Sequence, residues 1–324
     1  MGKTSKDKRD IYYRRAKEIG FRARSAFKLL QLDDTYDLFT GVQRVVDLCA
    51  APGSWSQVLS SKLYASVEEA HAALEANRPK VVSVDLQEMA PIPGVACLVG
   101  DITSEATADA IVKHFEGSLA DLIVCDGAPD VTGLHDIDEY MQAQLLLAAL
   151  NITTNTLRLG GCFVAKIFRG KDVSLLYSQL RTFFDEVTVA KPKSSRNSSI
   201  ESFVVCRGFR PFDGFAPSMD GLLLLDHKYR RSGGGSGGDG DGKDSSSGGG
   251  GAALPARLGP AAVVVPFVAC GDLSGFDADK SYALSAAASS ANPYVYREPV
   301  QPPIHPNYYT YQQQQLQQQQ QHKK

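Results

Sequence analysis

The chain has 324 residues, 43% of them hydrophobic and 22% charged, with a formal net charge of −2. That excludes a wholly disordered polypeptide and leaves room for one domain with a sizeable apolar interior. No apolar stretch is long enough to span a bilayer and the start lacks a signal-peptide core, so the expected location is cytoplasmic, with no membrane partner.

The small net charge hides an asymmetry. The first residues carry Lys3, Lys6, Lys8, Arg9, Arg14, Arg15, Lys17, Arg22, Arg24 and Lys28 against Asp7, Asp10 and Glu18, with Tyr12, Tyr13 and Phe21 interleaved. Basic side chains neutralise phosphates and aromatic rings stack on unpaired bases, so this edge suits RNA; a solvated helix face has the same composition.

A helix is expected over Arg22–Asp33, where Ala23, Ala26, Phe27 and Leu30 recur at helical spacing. Val45-Val46 reads as a short strand, and Asp47-Leu48-Cys49-Ala50-Ala51-Pro52-Gly53 as the tight turn that follows it. Ser54 is placed to cap a helix running to about Tyr64. Ala65–Pro79 reads as a surface extension. Strands are expected at Lys80–Asp85, Gly94–Val99, Asp121–Asp126 and Cys162–Phe168, then near Phe184–Ala190 and Ile200–Arg207. Helices are expected at Ser104–Phe115, at Val173–Thr182 and, long and amphipathic, at about Asp138–Leu157, ended by Gly160-Gly161. Strands alternating with helices predict an α/β fold with a mostly parallel sheet covered on both faces, its last two strands antiparallel.

Gly, Ser, Asp and Lys dominate from Arg231, and Gln dominates the end. The expected organisation is a catalytic domain over 1–210, an extension packed on it over 211–230, a flexible linker over 231–257, an arm over 258–300 and a disordered tail over 301–324. The arm's apolar run Ala261–Val268 is expected to fold back on the core as a strand or cover, docking of a partner being the alternative. The six cysteines form no C-x-x-C pair and sit mostly in apolar runs, so each reads as a small buried hydrophobe, with no metal site.

Two constellations carry chemistry. Asp47, Asp85 and Asp101 each sit where a strand meets its loop, at the end of a sheet where ligands bind. In a nucleoside-binding sheet Asp85 accepts from ribose hydroxyls and Asp101 from an adenine amino group; Asp101 also reads as a helix cap. The second set is Lys28, Asp126, Lys166 and Glu201. Lys166 interrupts the apolar run Phe163–Phe168, and a lysine so placed needs carboxylate partners, which Asp126 and Glu201 supply.

The turn Asp47–Gln57 with Lys28, Asp126, Lys166 and Glu201 resembles the FtsJ/RrmJ-type RNA 2′-O-ribose methyltransferases, over residues 5 to about 210. Asp7–Arg15, Asp85-Leu86-Gln87, Asp126–Asp136 and Val265–Ser274 resemble the eukaryotic branch acting on the tRNA anticodon loop at positions 32 and 34. The resemblance implies a Rossmann-like class I fold with a seven-stranded sheet and S-adenosylmethionine as cofactor. Gly53 and Trp55 then line the cofactor site, Asp85 and Asp101 lie on its adenosine side and Asp126 near its methionine end. Trp55 reads equally as a core aromatic. It also implies Lys166 as proton acceptor for a ribose 2′-hydroxyl, with Lys28 as its electrostatic partner and substrate-oxygen contact, lowering its pKa, while Asp126 and Glu201 pull that pKa the other way and orient the amine. The implied partners are tRNA, a WD-repeat protein for one position and an armadillo-like helical protein for the other. The competing expectations are an rRNA or mRNA-cap 2′-O-methyltransferase, or an inactive protein that binds RNA or a partner.

Overall fold

The computed structural model describes residues 10–129, 134–170, 173–219 and 265–282, with Arg297, Val300 and Gln301. Its strands are β1 (Val45–Leu48), β2 (Val81–Asp85), β3 (Val95–Val99), β4 (Ala120–Cys125), β5 (Leu157–Phe168), β6 (Phe184–Pro192), β7 (Glu201–Phe209) and β8 (Phe267–Cys270). They form one sheet in the order β3-β2-β1-β4-β5-β7-β6-β8. The first five are mutually parallel, and β7 runs antiparallel to β5 and β6. The strand order reverses between β1 and β4, which opens a crevice at their carboxyl ends.

The sheet has eight strands rather than seven, because part of the arm adds β8 parallel to β6 at its edge. Ala261–Val264 of the expected apolar run, the linker and the tail lie outside the described residues.

The helices are α1 (Ile11–Ile19), α2 (Ala26–Tyr36), α3 (Ser54–Leu63), α4 (Val67–Glu75), α5 (Glu105–His114), α6 (His135–Thr156) and α7 (Val173–Phe183). Alternate strand residues serve opposite faces of the sheet. Val45, Val81, Leu122, Val124, Val164 and Phe203 meet Leu29 and Leu32 of α2 and Trp55, Val58 and Leu59 of α3. Val46, Val82, Ile123 and Phe163 meet Ile111 of α5, Leu146 and Leu150 of α6 and Leu180 of α7.

Three local expectations change. The Ala65–Pro79 extension contains α4, whose Ser66 Oγ accepts from the Glu69 N–H at 3.1 Å while Glu69 Oε2 accepts from the Ala65 N–H at 2.8 Å. The α6 helix is not amphipathic along its length: residues 146–154 are all buried, because sheet and neighbouring elements enclose this half. Gly160-Gly161 do not end that helix but lie within β5. There β5 carries extra residues between the pairs Ala120↔Leu157 and Leu122↔Cys162, and Gly160 adopts φ +74°, a left-handed bulge position suited to glycine.

The arm also clasps α1. Tyr12 Oη donates to the Phe276 carbonyl at 3.0 Å, Arg14 Nη2 to the Tyr282 carbonyl at 3.3 Å, and the Arg15 guanidinium lies 4.8 Å from the centre of the Phe276 ring. Lys3, Lys6, Lys8 and Arg9 lie outside the described residues.

Candidate active site

Asp47 is the first acidic residue of the crevice, and it lies under the turn rather than on it. Its side chain is buried, with Oδ2 accepting from Ser56 Oγ at 2.6 Å and Oδ1 without a hydrogen-bond partner among the described residues. Burial raises its pKa to about 7, against the lowering effect of the Ser56 bond. The turn above closes with the Gly53 N–H donating to the Ala50 carbonyl at 2.6 Å. Gly53 has φ +99°, and a Cβ there would stand 2.8 Å from Ile92 Cδ1 and 2.9 Å from Arg22 Nη1. Gly53 itself is the N-cap of α3, so Ser54 is not; its Oγ instead meets Ser25 Oγ at 2.6 Å.

Arg22 was not singled out in the sequence, yet it ties this turn down. Nη1 donates to the carbonyls of Pro52 and Ala90, and Nη2 to that of Pro91, each at 3.0 Å. One more arginine in a basic segment carries no periodic signal of such a role.

Asp85 and Asp101 stand at adjacent strand ends, where the Gly100 N–H donates to the Asp85 carbonyl at 2.9 Å. Asp85 accepts from the Ala51 N–H through Oδ2 and from the Gln87 N–H through Oδ1, both at 2.8 Å. Asp101 Oδ1 accepts from the Thr103 N–H at 2.9 Å and Oγ1 at 2.8 Å. Asp101 does not cap α5, whose N-cap is Ser104. A carboxylate has about four acceptor sites, so both retain capacity for a ligand's donors.

Trp55 is placed differently from the lining position that the resemblance implied. Its indole is 2% exposed, packs on Phe203 with ring centroids 5.6 Å apart, and donates through Nε1 to the Ser25 carbonyl at 2.9 Å. Packing decides: the helix turns this ring inward, so the core-aromatic reading holds for its side chain.

The four charged residues do converge. Lys166 on β5 pairs with Phe203 on β7, which puts Glu201 diagonally across from Lys166 on the same face. Asp126 follows β4, and Lys28 reaches in from α2, its Nζ 5.6 Å from the centre of the Phe203 ring. Lys166 Nζ lies 2.8 Å from Asp126 Oδ1 and 3.6 Å from Glu201 Oε2. Lys28 Nζ lies 2.8 Å from Glu201 Oε2 and 3.9 Å from Asp126 Oδ1.

The electrostatics weigh two opposed expectations. Lys28 was expected to lower the pKa of Lys166, with Asp126 and Glu201 pulling the other way. Burial does push it down, but Asp126 and Glu201 outweigh burial and the net shift is upward. Glu201 moves the other way: burial would raise it, yet the Lys28 and Lys166 ammonium groups bring it down to about 2. Sequence reasoning also missed Gln142 on α6, whose Nε2 donates to the carbonyls of Gly127 at 3.2 Å and Lys166 at 3.1 Å, tying together the segments that carry Asp126 and Lys166.

Known proteins resemble this chain over much of its length. The FtsJ-like methyltransferase family matches residues 21–209. A tRNA (cytidine(32)/guanosine(34)-2′-O)-methyltransferase of Mus musculus is 59% identical over 308 residues, covering 95% of this chain and 85% of that protein. A protein of the same description from Schizosaccharomyces pombe is 52% identical over 304 residues, covering 94% and 95%. A pre-rRNA 2′-O-ribose RNA methyltransferase of Gallus gallus is 40% identical over 232 residues, covering 71% of this chain and 26% of that protein. With its crevice at the β1/β4 reversal and a family match spanning both that crevice and the charged cluster, this chain belongs to the FtsJ-like methyltransferase family.

Proposed function

We propose that the chain methylates ribose 2′-hydroxyls of the tRNA anticodon loop at positions 32 and 34, with S-adenosylmethionine as donor. The observation that carries this is the meeting of Lys28, Asp126, Lys166 and Glu201 in one cluster beside the crevice, with Lys166 buried and the other three half-buried. The choice of tRNA rests on relatives described as tRNA enzymes that align over nearly the whole chain, whereas the pre-rRNA relative is matched over about a quarter of its length.

The crevice residues fit the cofactor. Asp85 and Asp101 are acceptor groups at adjacent strand ends, matched to the hydroxyl and amino donors of an adenosine. Gly53 keeps the turn free of a side chain, and Asp126 lies at the opposite side of the crevice from Asp101, in strand order. When bound, the cofactor supplies an electrophilic methyl group.

The chain's residues supply proton transfer and alignment. Lys166 accepts the 2′-hydroxyl proton at Nζ, and must lose its own proton to do so. Asp126 holds it by an ion pair at Oδ1, 2.8 Å from Nζ, and by its backbone carbonyl, which accepts from Nζ at 2.7 Å, fixing where Nζ lies. Lys28, paired with Glu201 at 2.8 Å, is in this reading the electrostatic partner and the contact to the ribose oxygen. Glu201 orients both ammonium groups. Alignment of this kind supplies a large part of a displacement's rate.

Position choice draws on two further subunits, a WD-repeat protein and an armadillo-like helical protein, as the sequence resemblance implies. Methylation mapping of tRNA, rRNA and cap from cells lacking the gene tests the reading, alongside transfer by the purified chain with and without each subunit. Loss at tRNA positions 32 and 34, with Lys166→Ala inactive in vitro, is the expected result. Loss confined to rRNA or cap would overturn it.

A further inference from the structure

Glu201 has a second partner that the reaction scheme does not use. Its Oε2 faces the two lysines, while Oε1 accepts from Ser195 Oγ at 2.7 Å. Ser195 is 3% exposed and lies on the loop between β6 and β7. A carboxylate held through one oxygen can rotate about its last torsion; one held through both presents a fixed edge to its cations.

The loop that carries Ser195 is held from two directions. From the core, the Gln31 side chain accepts from the Ser194 N–H at 2.8 Å and Arg24 donates to the Ser194 carbonyl. From the arm, the Cys270 carbonyl accepts from the Lys193 N–H at 2.9 Å. Asp279 accepts from the Asn197 N–H at 2.6 Å and from Ser198 Oγ at 3.2 Å. The arm thereby reaches the charged cluster through one short loop.

We propose that Ser195 is a positioning residue that fixes the Glu201 carboxylate toward Lys28 and Lys166, and that the arm, through Asp279, holds the loop in register for it. This rests on the reading of Glu201 as part of the methyl-transfer site. The charged groups facing Glu201 are Lys28 from α2, Lys166 from β5 and Asp126 after β4, with Lys191 of β6 donating to its backbone carbonyl at 3.1 Å.

The test uses the full-length chain with ¹³C-labelled glutamate, the Glu201 carboxyl being assigned by its loss in Glu201→Gln. In Ser195→Ala its titration midpoint should rise by about one pH unit, the scale of a lost charge-assisted hydrogen bond. Single-site turnover should fall about tenfold, with KM for tRNA unchanged, and Ser195→Thr should restore both. Asp279→Ala, at an exposed position that does not threaten folding, should move both readouts in the same direction by less. An unchanged Glu201 midpoint in folded Ser195→Ala overturns the positioning role. An Asp279→Ala protein identical to wild type in both readouts overturns the arm's part. If the wild-type chain transfers no methyl to tRNA even with both subunits present, the reading of the reaction falls, and the titration still decides the role of Ser195.

Discussion

Lys166 grips Asp126 at two points, its Nζ lying 2.8 Å from the carboxylate and 2.7 Å from the same residue's backbone carbonyl. One amine thus links the end of β5 to the loop leaving β4, and it does so as an ammonium. The consequence for catalysis is a pH dependence. Asp126 and Glu201 overcome burial to raise the Lys166 pKa, so the neutral fraction grows only as pH climbs past the ordinary lysine value of about 10.4. Single-turnover methyl transfer should therefore keep rising into the alkaline range. A plateau near neutrality would show that Lys166 does not give up its proton in the limiting step. Lys166→Ala should abolish transfer and leave cofactor binding intact by calorimetry.

Glu201→Ala should cost stability as well as activity. Removing one partner of a buried ion cluster typically costs about 3–5 kcal/mol, because the remaining charges lose their compensation. The folded pKa of about 2 lies below the ordinary glutamate value, so its stabilisation is present at neutral pH and is lost as pH falls toward about 2. Denaturant melts at pH 7 and pH 3 should show a smaller gap between wild type and variant at the lower pH.

For Asp47 the sign is opposite. Its folded pKa of about 7 lies above the unfolded value, so the fold favours the protonated carboxyl and loses stability as pH rises through about 7. Asp47→Asn should flatten that decline, melting higher than wild type at pH 8 and close to it at pH 4. Parallel curves across the range would mean that Asp47 is ionised in the folded chain.

Asp101→Ala tests the proposed adenosine contact. Loss of one acceptor should weaken S-adenosylmethionine binding by about 1–3 kcal/mol. Unchanged affinity in a folded variant would reduce Asp101 to its bonds with Thr103.

The basic segment should divide in two. Arg14 and Arg15 are engaged by Tyr282 and Phe276, so neutralising them should alter tRNA binding less than neutralising Lys6, Lys8 and Arg9. The slope of log affinity against log salt measures this, each lost phosphate contact reducing it by about one. Equal slopes for the two sets would show that the arm yields Arg14 and Arg15 to RNA.

The sheet and the charged cluster were legible because they violate simple patterns. A lysine inside Phe163–Phe168 demands partners, and carboxylates at strand ends are where a doubly wound sheet gathers them. Trp55 was not legible in the same way. A ring one residue into a helix faces core or crevice according to the helix's rotation, which Phe203 and the Ser25 carbonyl settle from distant parts of the chain. Ser195 was invisible for a related reason: it is one of four serines in Lys193–Ser199, and its bond to Glu201 alone sets it apart. The α4 helix, by contrast, was readable. Ser66 and Glu69 stand at the spacing of a capping box, and the surface-extension reading passed over it.

The place of β8 at the sheet edge has a consequence for synthesis. Among the described residues, the strand that pairs with the outer side of β6 is β8, and Cys270 is made roughly 80 residues after Pro192. At about 5–20 residues per second that interval is on the order of 4–16 s, during which nascent chains on neighbouring ribosomes can pair edge to edge. When β8 arrives it pairs along Val189–Pro192 and closes that stretch of the edge.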